Sequence, residues 1–342
     1  MKWVDVEDFL IQKTLIFDVR SPIEFDKGHI PGARNLPLFF DEERARIGKM
    51  YKEKGKQDAL DLGLEIVGPK MAKIVRTVRE QVAGENRIYI HCFRGGMRSQ
   101  SVAWLLELCG FQVTLLRGGY KAFRAWITAQ FSKSYPLVVL GGLTGSAKTE
   151  ILHAIQAKGE SVLDLEGLAN HKGSAFGALG CEAQPTQVQF ENRLGVALFE
   201  RMGAQRIWVE DESRTIGQRF IPHHFWPQMR STTVLFVERT MDDRLDHLMC
   251  GYGSFSSKEL QVCAEKIRKR FGPDRTKTLL LLIEKGELRD AMRLVLQYYD
   301  KGYLHGLSKR ESSYIHRVSV IGLNHAQAAN DVMKYFCRME SN

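Results

Sequence analysis

The sequence predicts an α/β protein with two consecutive parallel-sheet domains and an α-helical C-terminal extension. Short β-branched or aromatic runs alternate with helical patterns, which is typical of strand–helix–strand units and a mostly parallel sheet. The alternation stops at a polar segment that ends in Pro136 and then starts again. The length of 342 residues also favours more than one domain, since roughly 150 residues per domain is usual.

The first predicted domain covers residues 1–130. Its strands are expected at 15–19, 87–92 and 111–116, where apolar runs are short and bounded by turn residues. A helix is expected over 99–108, because apolar residues recur there at helical spacing and a glycine follows.

The second predicted domain covers residues 136–240 and the helical extension covers 241–342. Strands are expected at 137–140, 206–209 and 233–237. In the extension the helical patterns include 259–270 and 278–299.

Composition indicates a cytoplasmic protein with no membrane partner. No stretch approaches the roughly 20 apolar residues that span a bilayer, and the N-terminus lacks the apolar core of a signal peptide. The six cysteines are scattered without a C-x-x-C pair, which argues against a structural zinc site and a disulfide scaffold. No tightly bound cofactor is expected.

A cysteine lies in an arginine–glycine loop between the strand at 87–92 and the helix at 99–108. We call residues 92–98 the Cys92 loop. Backbone N–H groups and a helix N-terminus converge at such a position, where they favour a thiolate and bind an anion. The glycines let the loop turn tightly, and the arginines add positive charge and bidentate donors. The predicted nucleophile is Cys92, and the predicted anion-binding residues are Arg94, Gly95, Gly96 and Arg98.

Together with residues 18–25 and 28–37, the Cys92 loop resembles the rhodanese homology domain over residues 4–128. The resemblance implies a persulfide on Cys92, or its selenium equivalent, as the transfer intermediate. Asp18 and Arg20 are expected to brace the loop rather than to react. The spacing Cys92-x5-Arg98 also fits the Cys-x5-Arg phosphatase signature, so sulfur transfer and phosphate-ester hydrolysis both remain open at this point.

A second anion site is predicted at residues 141–149, which follow a strand and open a helix. From Gly142 onward the pattern fits the phosphate-binding P-loop, except that Ala147 replaces the last glycine. We call residues 142–149 the P-loop; its backbone N–H groups are expected to hold a diphosphate that Lys148 neutralises. The predicted diphosphate-binding residues are Gly142, Thr144, Gly145, Ser146, Ala147, Lys148 and Thr149.

Two further expectations concern the chemistry of the P-loop. The Ala147 methyl group is expected to narrow the phosphate cradle or to disfavour a glycine-type backbone, so the loop should bind a diphosphate without fast nucleotide hydrolysis. Thr149 and Asp211 are candidate ligands of a Mg²⁺ ion. Alternatively, the glutamates of the acidic block 210–212 pair with neighbouring arginines.

The combination of both loops resembles the bacterial tRNA 2-selenouridine synthase family. Residues 170–177, 184–187 and 210–217 look like further blocks of that family, with Lys172 where an arginine is typical. The resemblance covers nearly the whole chain and is weakest after about residue 240.

This resemblance implies a reaction and its substrates. The family replaces the sulfur of a wobble 2-thiouridine in tRNA with selenium from selenophosphate, by way of an S-geranylated thiouridine made from geranyl diphosphate. It implies that the P-loop holds geranyl diphosphate and that the Cys92 loop holds selenophosphate or a perselenide. The implied partners are tRNA and a selenophosphate-producing enzyme.

Basic and apolar residues suggest where tRNA and a prenyl chain would bind. The net charge is +9, and the excess lies in residues 1–130 and 241–342, as expected for contact with a polyanion. The densest basic run supplies the candidate tRNA contacts Lys266, Arg268, Lys269 and Arg270, and residues 49–56 form a second run. Candidates for a prenyl groove are Ala175, Phe176, Leu179, Phe220, Phe225 and Trp226, although each is more often a core residue.

Two other functions remain open from the sequence. One is a Cys-x5-Arg phosphatase or rhodanese sulfurtransferase that a nucleotide-binding domain regulates. The other is a nucleotide-sensing RNA-binding adaptor in which Cys92 serves as a redox sensor.

Overall fold

The computed structural model describes residues 1–12, 14–82 and 84–341 and divides the chain into two compact units. The first unit comprises Met1–Gln130 together with Glu191–Val196. The second comprises Phe131–Phe190 and Ala197–Asn342.

The first unit contains a five-stranded parallel sheet with strands in the order β1-β5-β4-β2-β3. The strands and helix predicted at 15–19, 87–92, 111–116 and 99–108 are confirmed as β2, β4, β5 and α6. The elements are β1 (Lys2–Val4), α1 (Val6–Ile11), β2 (Ile16–Asp18), α2 (Pro22–Lys27), β3 (Arg34–Asn35), α3 (Asp41–Lys54), α4 (Lys56–Val67), α5 (Met71–Gln81), β4 (Arg87–His91), α6 (Met97–Leu108), β5 (Gln112–Leu116) and α7 (Gly119–Gln130).

The middle strands carry the core of the first unit because both of their faces are covered. Ile88 and Ile90 of β4 and Leu115 of β5 are fully buried. Such continuous apolar runs are typical of parallel strands with helices on both sides. Since all five strands run in one direction, their carboxyl ends meet at one edge of the sheet, where ligands bind in this class of fold.

The second unit contains another five-stranded parallel sheet, in the order β12-β11-β6-β8-β7. The strands predicted at 137–140, 206–209 and 233–237 are confirmed as β6, β8 and β11. The remaining elements of the chain are β6 (Leu137–Gly142), α8 (Lys148–Gln156), β7 (Ser161–Leu163), α9 (Leu165–Ala169), α10 (Gln187–Glu200), β8 (Ile207–Glu210), β9 (Thr215–Ile216), β10 (Arg219–Phe220), α11 (Trp226–Arg230), β11 (Val234–Glu238), α12 (Met241–Tyr252), α13 (Ser257–Phe271), α14 (Pro273–Glu284), α15 (Leu288–Leu307), β12 (Ile315–Ser319) and α16 (His325–Glu340).

The C-terminal region is mainly helical, as predicted, but it differs from the prediction in two respects. It also contains β12, which pairs in parallel with β11 and extends the second sheet. The helical pattern over 278–299 is formed by two helices, α14 and α15, which are separated near Gly286. Gly286 has a φ of 77°, the left-handed conformation in which glycine commonly ends a helix. Among the described residues, no helix is both long and apolar enough to cross a bilayer.

Candidate functional site

Cys92 lies directly after β4, at the carboxyl edge of the first sheet, and α6 begins at Met97. Its side chain is only 3% exposed. Gly95 has a φ of 66°, and a Cβ atom there would lie 3.0 Å from the Leu116 carbonyl oxygen. The loop therefore passes so close to the end of β5 that a glycine is required at this position.

Gly119, at the start of α7, holds the Cys92 loop from the other side. A Cβ atom at Gly119 would lie 2.4 Å from the Cys92 carbonyl oxygen and 2.5 Å from the Gly95 nitrogen. The backbone N–H groups of Tyr120 and Lys121 donate to the carbonyls of residues 92 and 93, both at 2.9 Å. The double glycine after β5 is a signal for this contact in the sequence, but its role becomes evident only from the packing of α7 on the loop.

The two arginines of the Cys92 loop differ in their contacts. Arg98 donates from Nη1 to Glu24 Oε2 at 2.8 Å, and Glu24 also accepts from the Ser21 backbone N–H at the start of α2. Burial by itself raises the pKa of Glu24, but the hydrogen bond and positive charge of Arg98 outweigh it, so the pKa is lowered. Arg94 is exposed, with its guanidinium 5.9 Å from the Phe93 ring centroid. An anion in this loop would meet one arginine held by a carboxylate and one facing solvent.

The Cys92 thiol contacts the hydroxyl of Ser99, which lies in the first turn of α6. Cys92 Sγ and Ser99 Oγ are 3.2 Å apart. Ser99 Oγ is also 3.1 Å from the Gly96 carbonyl oxygen, and its side chain is fully buried. Sequence reasoning did not single out Ser99.

Asp18 and Arg20 form a buried ion pair at the end of β2. Arg20 Nε lies 3.0 Å from both Asp18 carboxylate oxygens, and Arg20 Nη2 donates to the Gly28 carbonyl at 2.8 Å. The Arg20 guanidinium also stacks 3.8 Å from the centroid of the Tyr120 ring. Burial raises the pKa of Asp18, but the positive charges of His91 and Arg20 and the hydrogen bonds from Arg20 lower it further than burial raises it. The pair connects β2 with Tyr120 of α7, whose backbone N–H donates to the Cys92 carbonyl. That Asp18 and Arg20 brace the Cys92 loop stays a prediction.

In the second unit the P-loop connects β6 with α8. Lys148 Nζ donates to the Gly142 carbonyl oxygen at 3.1 Å, which keeps the ammonium group over the loop. Gly145 has a φ of 82°, and a Cβ atom there would lie 3.0 Å from the Arg244 carbonyl oxygen. The P-loop backbone is therefore tightly packed at Gly145, and diphosphate binding by this loop stays a prediction.

Ala147 adopts the left-handed conformation, with φ 62° and ψ 36°, and is 4% exposed. This conformation costs an L-residue about 1–2 kcal/mol. The expectation that a methyl group disfavours a glycine-type backbone is therefore correct about the energy, but the chain adopts that backbone nevertheless.

The predicted metal ligands, Thr149 and Asp211, both make hydrogen bonds to protein side chains. Thr149 Oγ1 donates to Glu166 Oε2 at 2.9 Å. Both Asp211 oxygens accept from other side chains, Oδ2 from the Tyr303 hydroxyl at 2.7 Å and Oδ1 from Arg310. Within residues 1–12, 14–82 and 84–341, no group of three or more His, Cys, Asp and Glu side chains is arranged to hold a metal ion. The described residues do not fit Mg²⁺ coordination by Thr149 and Asp211.

Three glutamates form a largely buried cluster that contacts the P-loop through the Thr149–Glu166 hydrogen bond. Glu210 Oε1 accepts from the Glu166 backbone N–H at 2.7 Å. Burial and the neighbouring carboxylates raise the pKa of Glu210 and of Glu212 well above the ordinary value. Burial also raises the pKa of Glu166, although the Lys148 charge lowers it in part. These carboxyls hold their protons to higher pH than ordinary glutamates, and the Lys148 charge lowers the pKa of Glu166 and Glu212 in part. The alternative of arginine pairing is not observed for Glu210, since the described contacts of its carboxylate are with the Glu166 N–H.

Residues of the C-terminal helices hold the P-loop in shape, and sequence reasoning missed them. The Gly142 N–H donates to the Tyr303 hydroxyl at 3.1 Å, and that hydroxyl donates in turn to Asp211. Burial and the Asp211 charge raise the pKa of Tyr303 well above its ordinary value, so it stays protonated as a donor. No local motif marks Tyr303, because it follows Gly142 by 161 residues in the chain.

Arg244 of α12 makes a similar contact two residues further along the P-loop, at Thr144. Its Nη1 donates to the Thr144 carbonyl oxygen at 3.2 Å, and its guanidinium forms a bidentate ion pair with Asp300 of α15 at 2.7 and 2.8 Å. Arg244 is 3% exposed. A buried bidentate pair fixes the guanidinium, and with it the carbonyl to which the guanidinium donates.

The candidate tRNA and prenyl contacts differ in how far their side chains are exposed to solvent. The basic run lies on the last turns of α13, and all four predicted side chains are exposed. Two prenyl-groove candidates are wrong, because Phe176 and Phe225 are 2% and 0% exposed and belong to the core. Phe220 is 54% exposed. The exposed tRNA candidates are Lys266, Arg268, Lys269 and Arg270, and the partly buried prenyl candidates are Ala175, Leu179 and Trp226.

Comparisons with known proteins match both units of the chain. A family model described as the AAA domain of tRNA 2-selenouridine synthase matches residues 135–331, and a rhodanese-like domain model matches residues 4–125. A tRNA 2-selenouridine synthase of Shewanella frigidimarina is 34% identical over 90% of this chain and 92% of its own length. Those of Marinobacter nauticus and Cupriavidus pinatubonensis are 33% and 32% identical, each over 92% of this chain and 94% of its own. Both resemblances drawn from the sequence are confirmed.

Proposed function

Since this chain belongs to the tRNA 2-selenouridine synthase family, we propose that it replaces the sulfur of wobble 2-thiouridine in tRNA with selenium from selenophosphate. We further propose an S-geranyl-2-thiouridine intermediate made from geranyl diphosphate. One observation carries the proposal: the chain has two glycine loops of different chemistry, each after a strand of a parallel sheet. One presents the Cys92 thiol with arginines, and the other presents Lys148 over a phosphate cradle.

The P-loop is assigned to the alkylation step. The thiouridine sulfur attacks C1 of the geranyl group, the C–O bond breaks, and diphosphate leaves with the electron pair while the N3 proton of the base is released. Lys148 offsets the charge that develops on the leaving diphosphate. This reaction needs no nucleotide hydrolysis, which agrees with the alanine at position 147. Because both carboxylate oxygens of Asp211 already accept from Tyr303 and Arg310, no step is assigned to a metal ion.

The Cys92 loop is assigned to the selenium step. The N-terminus of α6 and Arg94 provide the positive potential that an anionic selenium donor needs. Alkylated sulfur is a better leaving group than the sulfur of the thione. The selenium of selenophosphate can therefore attack C2 of the base and displace geranylthiol. Water then cleaves the Se–P bond and releases phosphate, which leaves 2-selenouridine. An enzyme that produces selenophosphate would supply the donor.

The basic run on α13 is assigned to the tRNA backbone. Lysine and arginine contacts to phosphates make affinity fall as salt increases, by a slope proportional to the number of contacts. Substituting Lys269 with alanine should lower tRNA affinity at 100 mM salt and reduce the salt slope by about one. Substitution of Lys285, an exposed lysine outside the run, is the matched control.

Mass spectrometry of nucleosides from 2-thiouridine-containing tRNA tests the proposal. Geranyl diphosphate alone should give the geranylated nucleoside, and selenophosphate added afterwards should give 2-selenouridine. Cys92→Ser should block only the second product and Lys148→Ala the first. Cys250→Ser and Lys158→Ala, which change exposed residues of the same types, should leave both products unchanged.

A phosphatase or plain sulfurtransferase is the second candidate, and the Cys92-x5-Arg98 spacing favours it. The same assay separates the two. Unchanged thiouridine in tRNA that binds the protein, together with turnover of an aryl phosphate or thiosulfate without tRNA, would contradict the proposed function and support the second candidate. Geranylation that survives Lys148→Ala would contradict the assignment of the P-loop.

A further inference from the structure

Phe220 is exposed on a short hairpin of the second unit, formed by β9 and β10. The two strands pair antiparallel, with Thr215 opposite Phe220 and Ile216 opposite Arg219. Neighbouring residues of a strand face opposite sides, so Ile216, which is fully buried, and Phe220, which is 54% exposed, lie on opposite faces of the hairpin. The outer face therefore presents a phenylalanine ring to solvent.

Two glutamine side chains hold this hairpin in place. Gln187 Nε2 donates to the Phe220 carbonyl oxygen at 2.8 Å, and Gln187 Oε1 accepts from the Phe220 N–H at 2.9 Å. Gln184 binds the turn in the same way, since its Nε2 donates to the Ile216 carbonyl at 3.1 Å and its Oε1 accepts from the Gln218 N–H at 2.8 Å. A two-stranded hairpin is only marginally stable by itself. The two amides supply hydrogen bonds that neighbouring strands would otherwise make, and they fix the position from which the ring is presented.

A chain of close contacts joins the hairpin to the P-loop. A Cβ atom at Gly217, in the turn of the hairpin, would lie 2.7 Å from His171 Cδ2. Two residues further along, a Cβ atom at Gly173 would lie 2.8 Å from Glu166 Oε1. Glu166 in turn accepts a hydrogen bond from the Thr149 hydroxyl of the P-loop. The hairpin is thus packed, through one intervening segment, against the loop to which the alkylation step is assigned.

The chain around Phe220 carries basic side chains and no carboxylate. Residues 213–237 include no aspartate or glutamate. Arg214, which precedes β9, is exposed, and Arg219 is partly buried next to the ring. An exposed aromatic ring with cations beside it is the combination that binds single-stranded nucleic acid. A geranyl chain would instead need a concave apolar pocket, and a ring on the open face of a hairpin does not supply one.

We propose that the wobble base of the tRNA stacks on the ring of Phe220, and that the hairpin thereby presents this base to the P-loop. This inference rests on the proposed function, which supplies the tRNA and the base to be alkylated. Proteins usually recognise RNA loops by stacking splayed-out bases on aromatic side chains. Phe220 is a binding residue in this assignment, since no bond to it forms or breaks.

Binding of the full-length protein to a 2-thiouridine-containing tRNA tests the contact. Phe220→Ala should weaken tRNA affinity about 5- to 150-fold, the range expected when one base–aromatic stack is lost. Phe220→Trp should restore the affinity, whereas Phe220→Leu, which is apolar but has no aromatic face, should not. Tyr314→Ala removes another exposed aromatic ring of the same unit and should leave the affinity unchanged.

Salt dependence and crosslinking separate stacking from other contacts. A stacked ring neutralises no phosphate, so Phe220→Ala should leave the slope of log affinity against log salt unchanged, whereas Lys269→Ala should reduce it by about one. An anticodon stem–loop RNA with 5-bromouridine at the wobble position should crosslink to Phe220 under ultraviolet light, as located by mass spectrometry. Bromouridine moved into the stem should not crosslink there. The crosslink uses the unsubstituted chain, so it does not depend on the folding of a variant.

Three outcomes would overturn the inference. The first is an unchanged tRNA affinity in Phe220→Ala, and the second is an affinity that Phe220→Leu restores as well as Phe220→Trp does. The third is a wobble crosslink that maps away from Phe220. An unchanged tRNA affinity with a higher KM for geranyl diphosphate in Phe220→Ala would assign the ring to the prenyl chain instead.

The same measurements distinguish failure of this inference from failure of the proposed function. Binding and crosslinking need neither geranyl diphosphate nor selenophosphate. A stack that depends on Phe220 in a protein that does not geranylate the base would contradict only the proposed function. Geranylation together with a tRNA affinity that Phe220→Ala leaves unchanged would contradict only this inference. Failure of the unsubstituted protein to bind tRNA would contradict both.

Discussion

Replacing Tyr303 with phenylalanine tests whether the C-terminal helices hold the P-loop. The substitution keeps the ring, which packs 6.0 Å from Phe236, and removes the hydroxyl that donates to Asp211 at 2.7 Å and accepts from the Gly142 N–H at 3.1 Å. A hydrogen bond to a charged group contributes about 1.5–3 kcal/mol, and a buried N–H left without a partner costs about 1–3 kcal/mol. Because the two losses share one hydroxyl, we expect the free energy of unfolding to fall by about 3 kcal/mol.

Thermal and urea unfolding measure this change. For a unit of 150–250 residues, 1 kcal/mol shifts the melting temperature by about 2–4 °C, so Tyr303→Phe should melt about 6–12 °C lower. Diphosphate should also bind more weakly, since the first glycine of the P-loop loses its anchor. Tyr314→Phe, at an exposed tyrosine of the same unit, is the control and should change neither property. A shift below about 2 °C in Tyr303→Phe, with unchanged diphosphate affinity, would refute the reasoning.

Three further predictions concern backbone strain and buried charge. Gly119→Ala should destabilise the protein by more than about 2 kcal/mol and alter the reactivity of Cys92, because the new Cβ atom would lie 2.4 Å from the Cys92 carbonyl oxygen. Gly110→Ala is the control: Gly110 also has a positive φ, but a Cβ atom there would meet no atom within 4 Å, so this substitution should cost only about 1–2 kcal/mol. Asp18→Asn should cost about 3–5 kcal/mol at pH 7 in urea unfolding because it leaves a buried arginine without its carboxylate. The pKa of Asp18 is lower in the folded state, so its charge contributes fully to the free energy of unfolding above about pH 4, and this contribution is lost as pH falls through the folded pKa. The difference in unfolding free energy between the wild type and Asp18→Asn should therefore narrow at low pH. A difference that stays constant down to about pH 2 would contradict the lowered pKa. Ala147→Gly should change the free energy of unfolding by less than about 1 kcal/mol. The substitution relieves about 1–2 kcal/mol of backbone strain. It also loses a buried methyl group, about 0.8 kcal/mol, and makes the unfolded chain more flexible, about 0.4–1 kcal/mol, and these two losses offset the gain.

The parts of the site that could be predicted are those whose chemistry is local in the sequence. The Cys92 loop and the P-loop each place glycines and cations within nine residues, between a strand and a helix. Tyr303 and Arg244 could not be predicted, because they act through single contacts with residues 161 and 100 positions away. The contacts of Asp211 could not be predicted for the same reason: a carboxylate after a strand looks available until its distant partners are known.

The fold shows the same division between local and distant information. Long apolar runs predict the central strands well, because strands with two covered faces leave a continuous pattern. β12 left no such pattern: of its five residues only Val318 is buried, since it lies at an edge of the sheet. The break at Gly286 was missed because a lone glycine inside a helical pattern is compatible with either one helix or two.

The departure of the P-loop from its consensus is explained by how firmly the surrounding structure fixes it. A left-handed alanine persists only where neighbouring contacts determine the backbone more strongly than the strain opposes it. Here Tyr303 fixes the first glycine, Arg244 fixes the Thr144 carbonyl, and Lys148 fixes the Gly142 carbonyl. Two of these three contacts come from α12 and α15, in the mainly helical C-terminal region. The C-terminal helices thus help to shape the P-loop backbone. Substitutions in those helices should impair the P-loop without changing its motif.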